Sequence, residues 1–91
     1  MAVITEKLLS DLLTYLEKSI HNLAKDAFES MGLEGGFQGV LDFLQTQFEI
    51  RLENLLVAQQ SSIHHLESGM KNKIIQRKER LMDEISKEYG N

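Results

Sequence analysis

The chain has 91 residues, of which 42% are apolar and 26% charged, with no Pro, Cys or Trp and a formal net charge of −4. This length fits one domain, and the composition excludes a disordered chain, a disulfide scaffold and a thiolate metal site. A domain this small buries only about 60 to 65% of its unfolded surface. Oligomerisation is the usual remedy for a small domain that has no covalent or metal staple.

The first predicted helix covers about residues 2–31. Its apolar residues recur at steps of three and four, as on the buried face of an amphipathic helix: Leu9, Leu13, Leu16, Ile20, Leu23 and Ala27. A Schellman closure is predicted at its end, because Gly32 can adopt the left-handed conformation and Leu33 can then pack on Phe28. The Gly-rich turn at 32–36 lacks the lysine and preceding strand of a phosphate-binding loop. We interpret it as a turn between two helices.

A long second helix is predicted over about residues 37–88. Its apolar positions repeat every eleven residues, a spacing that keeps the stripe nearly straight along a helix: Phe37, Leu41, Leu44, Phe48, Leu52, Leu55, Ile63, Leu66, Met70, Ile74, Leu81 and Ile85. At 1.5 Å per residue this helix is about 75 Å long, whereas the first is about 45 Å and covers it only to about Leu66. The apolar residues beyond Leu66 must therefore pack on something else.

Two arrangements satisfy this uncovered segment. A break near Ser68–Gly69 allows a third helix to fold back and complete a three-helix bundle, since Gly is unfavourable inside a helix. Alternatively, the second helix is continuous and its overhang pairs with another copy of the chain. Residues Phe43, Ile50 and Val57, spaced by seven on the outside of the hairpin, also predict a neighbouring helix or subunit.

Charge is distributed unevenly along the chain. Residues 1–67 carry ten acids and four bases, whereas residues 68–91 carry four acids and six bases. An acidic side on the second helix is complementary to basic residues beside the C-terminal stripe, in an internal fold-back or in a symmetric dimer. The acidic residues are Asp42, Glu49, Glu53 and Glu67. The candidate interaction residues are Phe43, Ile50, Val57, Met70, Ile74, Leu81, Ile85, Lys73, Arg77 and Arg80.

No catalytic, cofactor or metal site is expected. His64 and His65 are adjacent, so on a helix they point about 100° apart, whereas helical zinc ligands lie four residues apart. The serines have no accompanying nucleophile motif, and Glu49 and Glu53 lie one turn apart on a solvated face.

The basic run KNKIIQRKER could contact phosphates, so a nucleic-acid-binding regulator that uses the C-terminal helix is the alternative function. Glu79 interrupts this run, and no aromatic residue stands within it to stack on bases. A membrane surface is not an expected partner, because the segment also lacks the bulky aromatics of interfacial helices.

The hairpin length, the Gly turn and the segment Phe37-Gln38-Gly39-Val40 resemble the small secreted helical hairpins of the Trp-x-Gly family, over about residues 32–66. The family's members pair through their hairpins and leave bacteria by a specialised secretion system. The resemblance implies a hairpin topology and no site residues. The chain has no Trp, and Tyr89 is followed only by Gly90 and Asn91.

Together these patterns predict a single all-α domain over residues 1–91 that assembles as a helical bundle, homodimeric or higher. We interpret it as a non-enzymatic module that binds another protein, as an adaptor, small chaperone, inhibitor or regulator does. The charged N-terminal segment does not read as a Sec-type signal, and no membrane span is visible. A cytoplasmic protein is therefore expected, with export by another route left open.

Overall fold

The computed structural model of the chain describes residues 4–30 and 36–90. These residues form an all-α bundle of three helices: α1 (Glu6–Ser30), α2 (Gly36–Ala58) and α3 (Ser68–Tyr89), with a short 3₁₀ turn at Ile63–His65. No strand occurs within the described ranges. The bundle measures 43 × 20 × 18 Å along its principal axes, so it cannot contain the helix of about 75 Å. Of the two arrangements left open by the sequence, the chain adopts the fold-back.

Helix α1 begins at a side-chain cap. The Leu8 backbone N–H donates a 3.1 Å hydrogen bond to Thr5 Oγ1, which satisfies one of the free amides at the start of a helix. Glu6 lies in the first turn, where a negative charge is favourable. The predicted closure at Gly32 and Leu33 lies outside the described residues, as does most of the predicted turn. Gly36, the first residue of α2, has a φ of 70°.

Helix α2 ends in a Schellman motif built on Gln60. Ser61 N donates to Leu56 O and Gln60 N donates to Val57 O, both at 2.8 Å, which is the bonding pattern of that motif. Gln60 has a φ of 60°, a left-handed conformation that costs a residue other than Gly about 1 to 2 kcal/mol.

The chain therefore reverses within residues 59–67, the α2–α3 connection. The predicted helix over 37–88 is therefore two helices. The sequence places a possible break near Ser68–Gly69, whereas the break in the structure lies just before these two residues. Ser68 and Gly69 instead form the first turn of α3. Within the connection, Ile63 N donates to Glu53 Oε2 at 3.3 Å, which ties the 3₁₀ turn back to α2.

Helices α1 and α2 run antiparallel. Near the middle of the pair, Arg51 Nη1 donates a 2.6 Å hydrogen bond to Ser19 Oγ. At one end, where α1 finishes and α2 begins, the rings of Phe28 and Phe37 lie 5.6 Å apart. Residues later in α1 therefore lie beside residues earlier in α2.

Helix α3 runs parallel to α1. Arg77 Nη2 donates to Thr14 Oγ1 at 3.3 Å, and twelve residues further along α3 the ring of Tyr89 stacks on Phe28 at 4.6 Å. Phe28 thus contacts an aromatic ring from each of the other helices. Burial here, followed by the nearby carboxylates of Glu88 and Glu29, raises the pKa of Tyr89 above its ordinary value.

One apolar core joins the three helices along the length of the bundle. Burial of this apolar surface supplies the main stabilisation of the fold. The fully buried large side chains are Leu9, Leu13, Leu16, Ile20, Leu44, Phe48, Leu52, Leu56, Leu81 and Ile85. Among the residues that the structure describes, no helix has both the length and the apolar character needed to cross a membrane.

Candidate interaction surface

The predicted interaction residues separate into buried and exposed sets. Met70, Ile74, Leu81 and Ile85 lie in the core, with exposures of 9%, 8%, 0% and 0%. Their apolar stripe is covered by α1 and α2 of the same chain, because α3 folds back onto both helices. These four residues therefore stabilise the bundle and are not presented to a second molecule in this structure.

Phe43, Ile50 and Val57 remain on the surface. Their exposures are 38%, 49% and 58%, and together they form a stripe along the outside of α2. Asn54 lies four residues after Ile50 and three before Val57, so these three residues share one face of the helix. Asn54 also lines the cleft between α1 and α2, which places the stripe on that side of the bundle.

The cleft between α1 and α2 has a volume of about 270 Å³ and is mostly apolar. Its lining residues are Tyr15, Leu16, Ser19, Arg51, Asn54 and Leu55. Tyr15 is 65% exposed, so most of this aromatic side chain is open to water beside the cleft that it lines. We call the cleft, Tyr15 and the stripe of Phe43, Ile50 and Val57 the α1/α2 face.

The basic residues predicted beside the C-terminal stripe lie on the side of α3 that faces α1. Arg77 Nη2 donates to Glu17 Oε1, and Arg80 Nη2 donates to Glu17 Oε2 at 3.4 Å. Glu17 and Arg77 are only 16% and 19% exposed. The hydrogen bond that Arg77 donates to Glu17 raises the pKa of Arg77 above its ordinary value, against the opposing effect of burial.

This pairing corrects the complementarity expected from the sequence, because the acid that holds Arg77 and Arg80 is on α1 and not on α2. Lys73 lies one turn before Arg77 and makes no side-chain hydrogen bond or ion pair with the described part of the chain. The acidic side of α2 is paired once with α3, by Lys78 Nζ and Glu49 Oε1 at 3.1 Å.

A second groove lies between α2 and α3. It encloses about 340 Å³ and is lined by Phe48, Glu49, Leu52, Ile63, Lys71, Ile74, Ile75 and Lys78. Ile75 is 48% exposed, so this groove also presents an apolar side chain. Its rim, however, carries three charged residues, whereas Arg51 is the one charged residue lining the α1/α2 cleft.

Comparisons with protein-family models, with curated proteins and with solved structures find no match for this chain.

The histidines do not come together. His21 Nε2 lies 3.5 Å from Glu84 Oε2 in a surface contact between α1 and α3, whereas His64 and His65 are exposed in the α2–α3 connection. Across residues 4–30 and 36–90, no group of three or more His, Cys, Asp or Glu side chains could hold a metal ion. Within the same ranges, no polar or charged residue is buried.

Sequence reasoning missed Tyr15 and Glu17. A signal existed for Tyr15, since an aromatic residue outside the apolar stripe of an amphipathic helix is a candidate for a contact surface. No signal marked Glu17, which looks like any other acid beside the stripe. Its role depends on α3 running parallel to α1, and that arrangement became visible only in the fold.

Proposed function

We propose that this protein is a non-enzymatic interaction module that binds another protein through the α1/α2 face. The observation that carries the proposal is the exposed stripe of Phe43, Ile50 and Val57 on α2, together with the mostly apolar cleft between α1 and α2 that the exposed Tyr15 lines. Small soluble proteins rarely leave contiguous apolar side chains in water unless a partner covers them.

The shape of the face favours a helical segment as the partner. The stripe has the seven-residue spacing of a helix that packs lengthwise on another helix. An amphipathic helix laid along the stripe would bury apolar anchors at helical spacing, a common mode of peptide recognition. Arg51 and Asn54 lie in the cleft, where they can fix the orientation of the bound segment through hydrogen bonds.

The basic residues of α3 support a protein partner over a nucleic acid. Arg77 and Arg80 are held by Glu17, Lys78 by Glu49, and Lys87 by Asp83 at 3.0 Å. A phosphate-binding stripe needs cations that are free to replace counterions along the nucleic-acid backbone. On α3, most cations are already matched by carboxylates, so we propose a protein contact.

Affinity capture with matched variants tests the proposal. The tagged protein and the double variant Ile50→Ser/Val57→Ser are incubated with lysate of the source organism, and captured proteins are quantified. The control is Ile75→Ser, because Ile75 and Ile50 are 48% and 49% exposed but lie on different faces. We expect the double variant to retain about tenfold less of a specific partner, and the control to retain it fully.

The proposal fails if the double variant captures the same proteins in the same amounts as the parent. It also fails if the parent captures nothing above an unrelated helical bundle of similar charge. Circular dichroism of each variant verifies that helix content is unchanged, so that a loss of capture reports the surface and not unfolding.

A further inference from the structure

The α2–α3 connection is an unusual reversal, because its sequence contains none of the residues that enforce one. Residues 59–67 read QQSSIHHLE, with neither Gly nor Pro. The turn nevertheless needs a left-handed residue, and Gln60 occupies that position with a φ of 60°. Glycine adopts this conformation without the steric cost that every other L-residue bears. The reversal is therefore maintained against the conformational preference of Gln60, by the packing of α3 and by the hydrogen bonds that Gln60 N, Ser61 N and Ile63 N donate to α2.

The eleven-residue repeat of the sequence continues through the same segment, with two of its three positions apolar. Gln59, Ile63 and Leu66 occupy the repeat positions between the last group on α2 and the first group on α3. An eleven-residue repeat keeps a helical stripe nearly straight, so a continuous helix would carry the buried faces of α2 and α3 on the same side. The connection is thus compatible with two conformations, a turn and a helix.

From these two features we propose that the protein forms a dimer by exchanging α3 between two copies. In the dimer, residues 59–67 become helical and join α2 and α3 into one helix of about 80 Å. Each α3 then packs in the partner's bundle in the place that it occupies in its own, a domain swap. The third helix of each bundle is thus the α3 of a second copy of this chain.

The exchange keeps the packing that stabilises the monomer. Arg77 still meets a Glu17, and Tyr89 still meets a Phe28, but from the other chain. Only the connection changes. Gln60 loses its left-handed conformation and becomes helical, and the hydrogen bond that Ile63 N donates to Glu53 is broken. Because association costs translational entropy, the monomer prevails at low concentration and the dimer at high concentration. This inference goes beyond the proposed function and does not use the α1/α2 face.

Variants of the connection test the inference by sedimentation equilibrium. Gln60→Gly removes the steric cost of the left-handed conformation at position 60, which only the monomer adopts. A dimer contains two connections, so we expect the dimer dissociation constant to rise at least about 30-fold. Gln59→Gly is the control, because it carries the same cost of Gly inside the dimer helix but lies one position earlier, where φ is not positive, so it relieves nothing in the monomer turn and should raise the dissociation constant less than Gln60→Gly does. Ser61→Ala/Ser62→Ala raises helix propensity and should favour the dimer.

Cross-linking distinguishes exchange of α3 from any other dimer. His21 Nε2 and Glu84 Oε2 lie 3.5 Å apart between α1 and α3, and the chain has no native Cys. An unlabelled His21→Cys chain and an isotope-labelled Glu84→Cys chain are unfolded together, refolded at high concentration and treated with a short bis-maleimide. The exchanged dimer gives a cross-linked species that contains one chain of each mass.

Two results would overturn the inference. One is a parent chain and a Ser61→Ala/Ser62→Ala variant that both remain monomeric at the highest soluble concentration. The other is a dimer that forms without the mixed-mass cross-link, since its chains would then associate through another surface with α3 still folded back.

Discussion

Phe48 offers the most direct test of how the bundle is stabilised, because α2 supplies its own control. Phe48 is completely buried, whereas Phe43 in the same helix is 38% exposed. Truncation of a buried Phe to Ala removes transfer free energy and leaves a cavity, at a cost of about 3 to 5 kcal/mol. At 0.05 to 0.15 kcal/mol per residue, a chain of this length has a total stability of about 5 to 14 kcal/mol.

Urea unfolding followed by circular dichroism measures the effect. We expect Phe48→Ala to lower the unfolding free energy by about 3 kcal/mol or more, and to lower the melting temperature by about 12 °C or more. Phe43→Ala should lower the unfolding free energy by about 1 kcal/mol or less, because water already reaches its ring. If the two variants unfold at the same urea concentration, the core lies elsewhere and the assignment of the α2 faces is wrong.

Three further perturbations follow from particular contacts. Gly36 and Gly69 both have open space for a methyl group, but only Gly36 has a positive φ, so Gly69→Ala should raise the unfolding free energy by about 0.5 to 1 kcal/mol and Gly36→Ala should lower it by about 1 kcal/mol. Equal urea midpoints would refute this. Glu17→Gln should cost about 1 to 3 kcal/mol, whereas Arg80→Gln at the exposed end of the same contact should cost less than about 1 kcal/mol; the reverse order would contradict the contact. Burial raises the pKa of Tyr89 above its ordinary value near 10, so its neutral form stabilises the fold below that pH and this stability is lost as pH rises through the raised pKa. Ultraviolet titration should show a late tyrosinate that is missing in Tyr89→Phe, and an unchanged titration would disprove the assignment.

The helices themselves were predictable because their apolar spacing is strong. The steps of three and four from Leu9 to Ala27 predicted α1, and the burial of Leu9, Leu13 and Leu16 confirms its inner face. The eleven-residue repeat likewise identified the buried faces of α2 and α3, including Phe48 and Leu81. Periodicity of this kind depends only on which residues avoid water, so one sequence is enough to read it.

The reversal was not predictable to the residue, for a physical reason. The eleven-residue repeat continues through the connection, with Gln59 as its polar member there, and the left-handed position is filled by Gln60 where Gly is the usual residue. A break was predicted near Gly69 because Gly is unfavourable inside a helix, yet Gly69 lies in the first turn of α3. The left-handed conformation of Gln60 is stabilised by the hydrogen bonds at the end of α2 and by the packing of α3 on the other helices, and the packing depends on contacts that the local sequence does not show.

The exposure of the stripe could be predicted from the sequence, but its position relative to the α1/α2 cleft could not. Phe43, Ile50 and Val57 could be placed outside the hairpin from their spacing alone, and the structure leaves them exposed. Their position relative to Tyr15 and the cleft depends on how α1 and α2 are rotated about their axes. That rotation is decided by how side chains fit together in three dimensions.

The parallel arrangement of α1 and α3 has a mechanical consequence. The start of α1 and the end of α3 lie at opposite ends of the bundle, so a force applied to these two points acts along the helix axes. Such a force shears the interface between α1 and α3, and contacts from Arg77 at Glu17 to Tyr89 at Phe28 bear it together. A hairpin pulled at its two neighbouring ends opens instead one contact at a time. The bundle should therefore resist tension along its length better than its modest size suggests. A protein partner that pulls on it along this axis would extend it little.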